Sequence, residues 1–215
     1  FQISYLSRIH VSYIYCTIYL MKKILMATGN LHKISEVKDI LNSLNVEVEI
    51  VSPKQLDPNC DEPVEDGKTF KENSYIKAKY YHDLFNLPTI ADDSGICIDY
   101  YDGGPGIYSA RWMPELSYEE KNKKITDELK GSDNRGAQFV CGITYIDENG
   151  KVSYHEGVLE GKIADVPSGT KGFGYDPVFV MNGQELTMAD LGEEFKKYNS
   201  HRALALRKLV ESLEK

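Results

Sequence analysis

Within residues 24–44 the hydrophobic pattern changes period. Ile24 to Ala27 is an unbroken apolar run, Thr28-Gly29-Asn30 interrupts it, and Ile34, Val37, Leu41 and Leu44 follow at spacings of three, four and three. An unbroken run suits a strand covered on both faces, whereas the later spacing sets one apolar stripe along a helix. A strand covered on both faces that leads through a tight turn into a helix belongs to a sheet with helices packed on it. That combination points to an α/β fold.

The rest of the chain extends the pattern. Val46 to Val51 alternates apolar and acidic residues like a half-buried strand, and Ser52 to Asp66 reads as a loop. A helix is predicted over Thr69 to Leu84, stopped ahead of Pro88. Thr89 to Ala91 reads as a short strand, Asp92-Asp93-Ser94-Gly95 as a polar break, and Ile96 to Ile98 as a further apolar run. Gly103-Gly104-Pro105-Gly106 reads as a loop and Tyr118 to Leu129 as a charged surface helix. Asn149-Gly150 between two alternating segments, Phe139 to Ile146 and Lys151 to Val158, signals a hairpin. Gly169 to Gly174 reads as a glycine-rich loop, and Ser200 as the cap of a last helix bearing Leu206, Leu209, Val210 and Leu213 on one face. Adjacent strands mixed with a hairpin imply a mixed sheet, and no repeat or linker divides it.

A chain of 215 residues can bury a sizeable core and favours one domain, or one domain with two lobes. With 25 basic against 33 acidic residues and a formal net charge of -8, it is ill suited to a nucleic-acid backbone. A small anionic substrate is still compatible, since a site needs only a few local cations. Cys16, Cys60, Cys97 and Cys141 lack the paired short spacings of a zinc or redox motif and are read as reduced thiols of a cytoplasmic protein. Residues 1–20 are crowded with tyrosine and precede Met21, which looks like the natural start of a single catalytic domain over 21–215. They are read as an atypical, non-native or disordered extension, with a genuine extension or a targeting segment as alternatives. Val11 to Leu20 falls short of the roughly 20 apolar residues that span a bilayer, so no membrane association is expected.

Four constellations carry chemistry. Thr28, Gly29, Asn30, Leu31, His32 and Lys33 occupy a strand-to-helix turn, where free amides and the positive end of the helix dipole attract phosphate; an ordinary turn has the same composition. Asp92 and Asp93 are adjacent carboxylates that need partners if buried, and a divalent cation is one such partner; a capping cluster is the other reading. Glu65 and Asp66 are acidic candidates for a second ligand. Phe173, Gly174, Tyr175 and Asp176 combine aromatic faces with flexible backbone, so that Phe173 or Tyr175 can stack on a purine or simply anchor a loop. His201 and Arg202, preceded by Lys196 and Lys197, supply donors that favour a carbonyl oxygen on the base and oppose an amino group.

With these residues in view, the chain from Met21 onward resembles the inosine triphosphate pyrophosphatase family, also called the Ham1 or nonstandard-purine NTP pyrophosphatase family. The resemblance rests on ATGNLHKISE (27–36), EDGKTFKENSYIKA (65–78), ADDSGICID (91–99), GGPGIYSARW (103–112), GTKGFGYDPVF (169–179) and LGEEFKKYNSHRALAL (191–206), in that order. It implies a two-lobed α/β fold with a long mixed sheet flanked by helices, a substrate cleft between the lobes, and a homodimer. It implies hydrolysis of ITP, dITP and XTP to the monophosphate and pyrophosphate with Mg²⁺. By the same resemblance Thr28 to Lys33 hold the triphosphate, Asp93 is the catalytic or metal-binding carboxylate, and Glu65 is a second metal ligand. Ser94 contacts substrate, Phe173 to Asp176 line the base pocket, Lys196 contacts phosphate or base, and His201 and Arg202 read the 6-oxo group. The family commonly has Lys-Asn where this chain has Lys196-Lys197, and residues 1–20 have no counterpart in it. Two rival readings are a Maf-like pyrophosphatase acting on pyrimidine or modified nucleotides and a nucleotide-binding module without turnover.

Overall fold

A computed structural model describes residues 22–213; the expected extension over 1–20, and Cys16 with it, lies outside the described residues. The period change near the start is realised as strand β1 (Lys22–Met26) and helix α1 (Leu31–Ser43). There follow β2 (Val48–Val51), a single turn α2 (Pro53–Leu56), α3 (Phe70–Phe85), β3 (Thr89–Ile98), β4 (Gly104–Pro105) and α4 (Tyr118–Glu128). The chain continues through β5 (Gly136–Ile146), β6 (Val152–Ile163), β7 (Phe179–Met181), α5 (Met188–Asn199) and α6 (His201–Leu213). Seven strands form one mixed sheet in the order β2-β1-β3-β5-β6-β7, with β4 added against β3. β1 runs parallel to β2 and β3, and the pairings of β3 with β4 and β5, β5 with β6 and β6 with β7 are antiparallel.

The pairing register leaves a gap. β1 reaches only Thr89 and Ile90 of β3, and β4 takes up the same side of β3 only at Cys97 and Ile98. Between them that edge of β3 has no strand neighbour, while its other edge pairs with β5 from Thr89 to Ile98. The gap opens at the carboxyl end of β1, where the chain turns into α1. Open α/β sheets bind ligands at such carboxyl-end crevices.

Side chains alternate across the sheet and the core follows them. Ile24, Met26, Ile50, Ile90 and Ile143 meet Val37, Ile40 and Leu41 of α1 and Leu206 and Leu209 of α6 on one face. Leu25, Ala27, Val51, Ala91 and Ile146 meet Ala78 and Tyr81 of α3 on the other. At the far end of the long strands Ile96, Ile98, Phe139, Leu159 and Ile163 pack with Ile125 and Leu129 of α4 and with Val178, Phe179 and Met188. The core is thus divided between two lobes joined by β3, β5 and β6, with the edge gap between them.

β3 departs from the expected break at Asp92-Asp93-Ser94-Gly95, for it runs unbroken through all four residues. β5 pairs with every one of them, and the polar side chains find partners within the fold, so nothing interrupts the strand. Part of the expected loop over Gly103 to Gly106 is drawn into the sheet as β4. The hairpin lies where Asn149-Gly150 predicts it, with the Asp147 carboxylate accepting from the amides of Asn149 and Lys151. Ser200 caps α6 as expected, its hydroxyl accepting from the Ala203 amide at 3.1 Å. Cys60, Cys97 and Cys141 are free thiols, and no helix of the described residues is long and apolar enough to cross a membrane.

The start of α6 is seated directly on β6. A Cβ at Gly157 would stand 2.0 Å from the His201 carbonyl oxygen and 2.6 Å from the Ala205 amide nitrogen, so only glycine permits this approach. Gly157→Ala is expected to destabilise the protein by about 1–3 kcal/mol, read as a lower urea midpoint, because neither backbone can yield. An unchanged midpoint would show that the two elements do not meet as closely as described.

Candidate active site

A cavity of about 510 Å³ occupies the gap beside β3. Thr28, Gly29, Asn30, His32, Lys33, Glu65, Asp93, Ser94, Phe173, Gly174, Tyr175, Asp176, Lys196, His201 and Arg202 all border it. Leu31 differs from the others: it is 77% exposed and its side chain does not line the cavity, so only its backbone amide can face a ligand there. It sits on the outward side of the first turn of α1.

That first turn is also less open than the sequence implies. The Asn30 side chain caps the helix, accepting from the amides of His32 at 3.0 Å and Lys33 at 3.3 Å. With the Asn30 amide donating to the Thr28 hydroxyl at 3.1 Å and the Thr28 amide to the Met26 carbonyl at 2.8 Å, four of the six amides over residues 28–33 are occupied. The amides of Gly29 and Leu31 have no acceptor among the described residues, and the dipole of α1 still points its positive end at the cavity.

The strand period sends the two adjacent aspartates to opposite faces of the sheet. Asp92 is fully buried, and its Oδ2 receives Nη2 of Arg202 at 2.8 Å and Nε at 3.3 Å, with Lys33 Nζ at 3.0 Å. Burial alone would raise its pKa, but Lys33 and Arg202 outweigh that and hold the carboxyl well below the usual carboxylate range. Asp93 faces α3, where Asn73 Nδ2 donates to Oδ2 at 3.1 Å and Lys77 Nζ stands 3.9 Å from Oδ1. Its pKa is raised by burial, which Lys77 and Asn73 only partly offset. Lys77 also bonds Glu65 at 2.7 Å, so one ammonium links the two expected metal ligands.

Six buried or nearly buried charges alternate in sign across the back of the cavity: Lys33, Asp92, Arg202, Glu36, Lys196 and Asp176. Arg202 is 1% exposed and joins Glu36 as well as Asp92, and Lys196 joins Glu36 at 2.6 Å and Asp176 at 2.8 Å. Burial would raise the pKa of Glu36, but Arg202 and Lys196 lower it overall; burial does raise that of Asp176. The lysine register is fixed by burial: Lys196 is 3% exposed within the cavity wall, whereas Lys197 pairs with Glu194 outside. Arg202 is not a free donor, since it spends most of its N–H groups on Asp92, Glu36 and the Ser94 hydroxyl at 3.0 Å; one of its five remains.

Beside the first turn of α1 lies an aromatic surface. The Phe173 ring stacks against His32 with centroids 5.5 Å apart and planes 19° from parallel, and the Lys196 ammonium lies 4.9 Å from its centre. Its amide donates to Asp176 Oδ2 at 2.8 Å. Tyr175 plays the other part the sequence left open, that of anchor: it is 5% exposed, donates its hydroxyl proton to the Ser109 carbonyl at 2.7 Å, and meets the edge of Tyr118. His201 stacks on Phe139 at 4.9 Å; burial, then the Arg202 charge, pushes its pKa down to about 3, so the ring is neutral near pH 7. Its Nδ1 is buried without a partner among the described residues.

Asn73, Lys77 and Glu36 were not singled out from the sequence. Asn73 and Lys77 stand four apart on α3, on the face that also buries Ser74 and Ala78, and a polar pair on a buried helix face was the available signal. Glu36 offered none, since half-buried acidic residues on an amphipathic helix are ordinary. Among the described residues no three His, Cys, Asp or Glu side chains group closely enough to hold a metal on their own.

The sequence profile of the Ham1 family matches residues 24–212. The dITP/XTP pyrophosphatase of Leptospira interrogans is 41% identical over 195 residues, which span 89% of this chain and 97% of that protein. The dITP/XTP pyrophosphatase of Clostridium perfringens is 38% identical over 202 residues, spanning 90% and 98%. The Ham1 protein structure from Staphylococcus aureus superposes with a TM-score of 0.78 at 36% identity, covering 90% of this chain and 98% of that one. With the profile running through nearly every strand and helix of the sheet, the chain belongs to the Ham1 family.

Proposed function

We propose that this protein hydrolyses nonstandard purine nucleoside triphosphates, ITP, dITP and XTP, to the monophosphate and pyrophosphate. The observation that carries the reading is that one cavity unites the amino end of α1 and the Asp93, Lys77 and Glu65 group with the Phe173 surface and His201. Such a cavity meets a triphosphate at one end and a flat base at the other. The dITP/XTP pyrophosphatases named above support the same reading.

The charge around the cavity bears on the cofactor. Lys33, Lys77, Arg111, Lys196 and Arg202 border it, matched in number by Glu36, Glu62, Glu65, Asp93 and Asp176. A triphosphate brings several negative charges into these neutral surroundings and needs further cations with it. Glu65 and Asp93 already draw the Lys77 ammonium, and their hard oxygen donors suit Mg²⁺, which takes one or two carboxylates and completes its shell with water and phosphate. When bound there, Mg²⁺ would neutralise phosphate oxygens and the departing pyrophosphate.

The chain's own residues account for the rest. Lys33, the free amides of Gly29 and Leu31 and the dipole of α1 hold the phosphates. Asp93, held by Asn73 at one oxygen, orients the water that attacks the α-phosphorus and takes its proton as the bond between the α-phosphate and the pyrophosphate breaks. The base stacks on Phe173. The neutral His201 ring and the remaining Arg202 N–H donate toward a 6-oxo oxygen, whereas the amino group of adenine would set donor against donor. Guanine shares the 6-oxo group, so this contact by itself separates ITP from ATP and not from GTP. The proposal includes a single catalytic domain over 21–215, a homodimer and a cytoplasmic setting.

Pyrophosphate, and not orthophosphate, is expected from ITP and XTP with Mg²⁺ and little from ATP. Release from pyrimidine triphosphates would point to a Maf-like activity, and tight ITP binding without release to a binding module. Asp93→Asn is expected to lower kcat by at least about 10², and turnover close to wild type would refute the assignment. His201 gives a stability test. Its pKa falls from 6.5 to about 3 on folding, so the unfolded chain binds the extra proton in that window and stability is lost as pH falls from 6.5 toward 3. Melting temperature should therefore drop more steeply between pH 6.5 and 5 in the wild type than in His201→Gln; equal slopes would show that the ring is not buried neutral.

A further inference from the structure

The Phe173 surface stands on a loop that should be loose. Gly172 and Gly174, on either side, adopt φ of 80° and 67°, a region in which glycine has little restraint of its own. The Phe173 amide is held by Asp176 on one side. On the other, the Gly174 carbonyl accepts a hydrogen bond at 2.9 Å from Nδ2 of Asn122, a residue of α4 some 52 positions away.

Asn122 is unusual in its surroundings. It is 2% exposed, and its Oδ1 is buried with no partner among the described residues. Rotating the carboxamide would set Oδ1 against the Gly174 carbonyl, so the orientation is forced by the donor it supplies. A buried orphaned acceptor carries a desolvation cost that no hydrogen bond offsets and that an apolar side chain of the same size would not incur. The element behind it is seated in the core: α4 begins with a capping box of Ser117 and Glu120, and its Ile125 is fully buried among Ile96, Ile98 and Phe139. The carboxamide thus ties the base-facing loop to a fixed helix.

We propose that Asn122 is a positioning residue that fixes the Phe173 ring for the incoming base by clamping the Gly174 carbonyl. This rests on the reading of Phe173 as the base-stacking surface. One lost hydrogen bond of this kind corresponds to about a two- to tenfold change in binding.

Asn122→Leu and Asn122→Ser are the variants to compare with wild type. Asn122→Leu removes both the donor and the orphaned acceptor, so a purely structural role predicts no loss of substrate affinity in a folded protein. The expected result is a KM for ITP raised about two- to tenfold in both variants, with a proportionally smaller change in kcat, while Asn122→Leu keeps the wild-type melting temperature within a few degrees. A KM unchanged in both variants would overturn the proposal; if Asn122→Leu does not fold, Asn122→Ser decides alone. Trypsin cleavage after the exposed Lys171 of the same loop gives a readout that needs no activity, and it should be faster in both variants. Unchanged cleavage would overturn the clamp even if wild type proved inactive on ITP, whereas faster cleavage with an inactive wild type would refute only the proposed function.

Discussion

Arg202 organises the molecule. Its guanidinium is buried at the first turn of α6 and reaches Asp92 on β3 and Glu36 on α1, and through Glu36 it connects to Lys196 and Asp176. Three cations and three carboxylates in alternation leave no net charge to be buried. The desolvation of each ion is offset only because its neighbours are in place, which makes such a chain costly to break at any one member. All of these residues but Asp92 line the cavity, so the cavity and the folded core are two sides of one electrostatic arrangement.

That arrangement clarifies how two adjacent aspartates can differ. Asp92 faces the arginine and is kept ionised by Arg202 and Lys33; Asp93, one residue on, faces α3 and is left with Asn73 and a more distant Lys77. One is committed to structure and the other borders the cavity with a raised pKa. The period of a β-strand, and nothing in the local composition, makes the division.

Much of this was legible in the sequence. The period change after Ala27, the hairpin at Asn149-Gly150 and the cap at Ser200 follow from local rules, and each element forms where those rules put it. Local rules failed where long-range pairing prevailed. Asp92 to Gly95 looked like a break because polar residues normally end a strand, yet β5 pairs with the backbone of all four and Arg202 and Asn73 on the two faces hold one oxygen of each aspartate. Leu31 lay within a motif read as a whole, but helical geometry turned its side chain outward. β7, at three residues, and α5, kinked at Gly192 with φ 81°, were too short or too irregular for a period to show.

The sequence by itself determined the secondary structure of its strongly patterned stretches, the sheet-and-helix class and the set of residue types gathered for chemistry, because all of these depend on spacing along the chain. Only the tertiary structure decided which charges are spent on one another and which are left to meet a ligand. Glu36 and Asn122 became visible there alone, since a hydrogen bond between positions 122 and 174 leaves no mark on the local pattern at either end. Electrostatic and hydrogen-bond partners are chosen by distance in space, and it is the packing of the two lobes about β3 that sets those distances.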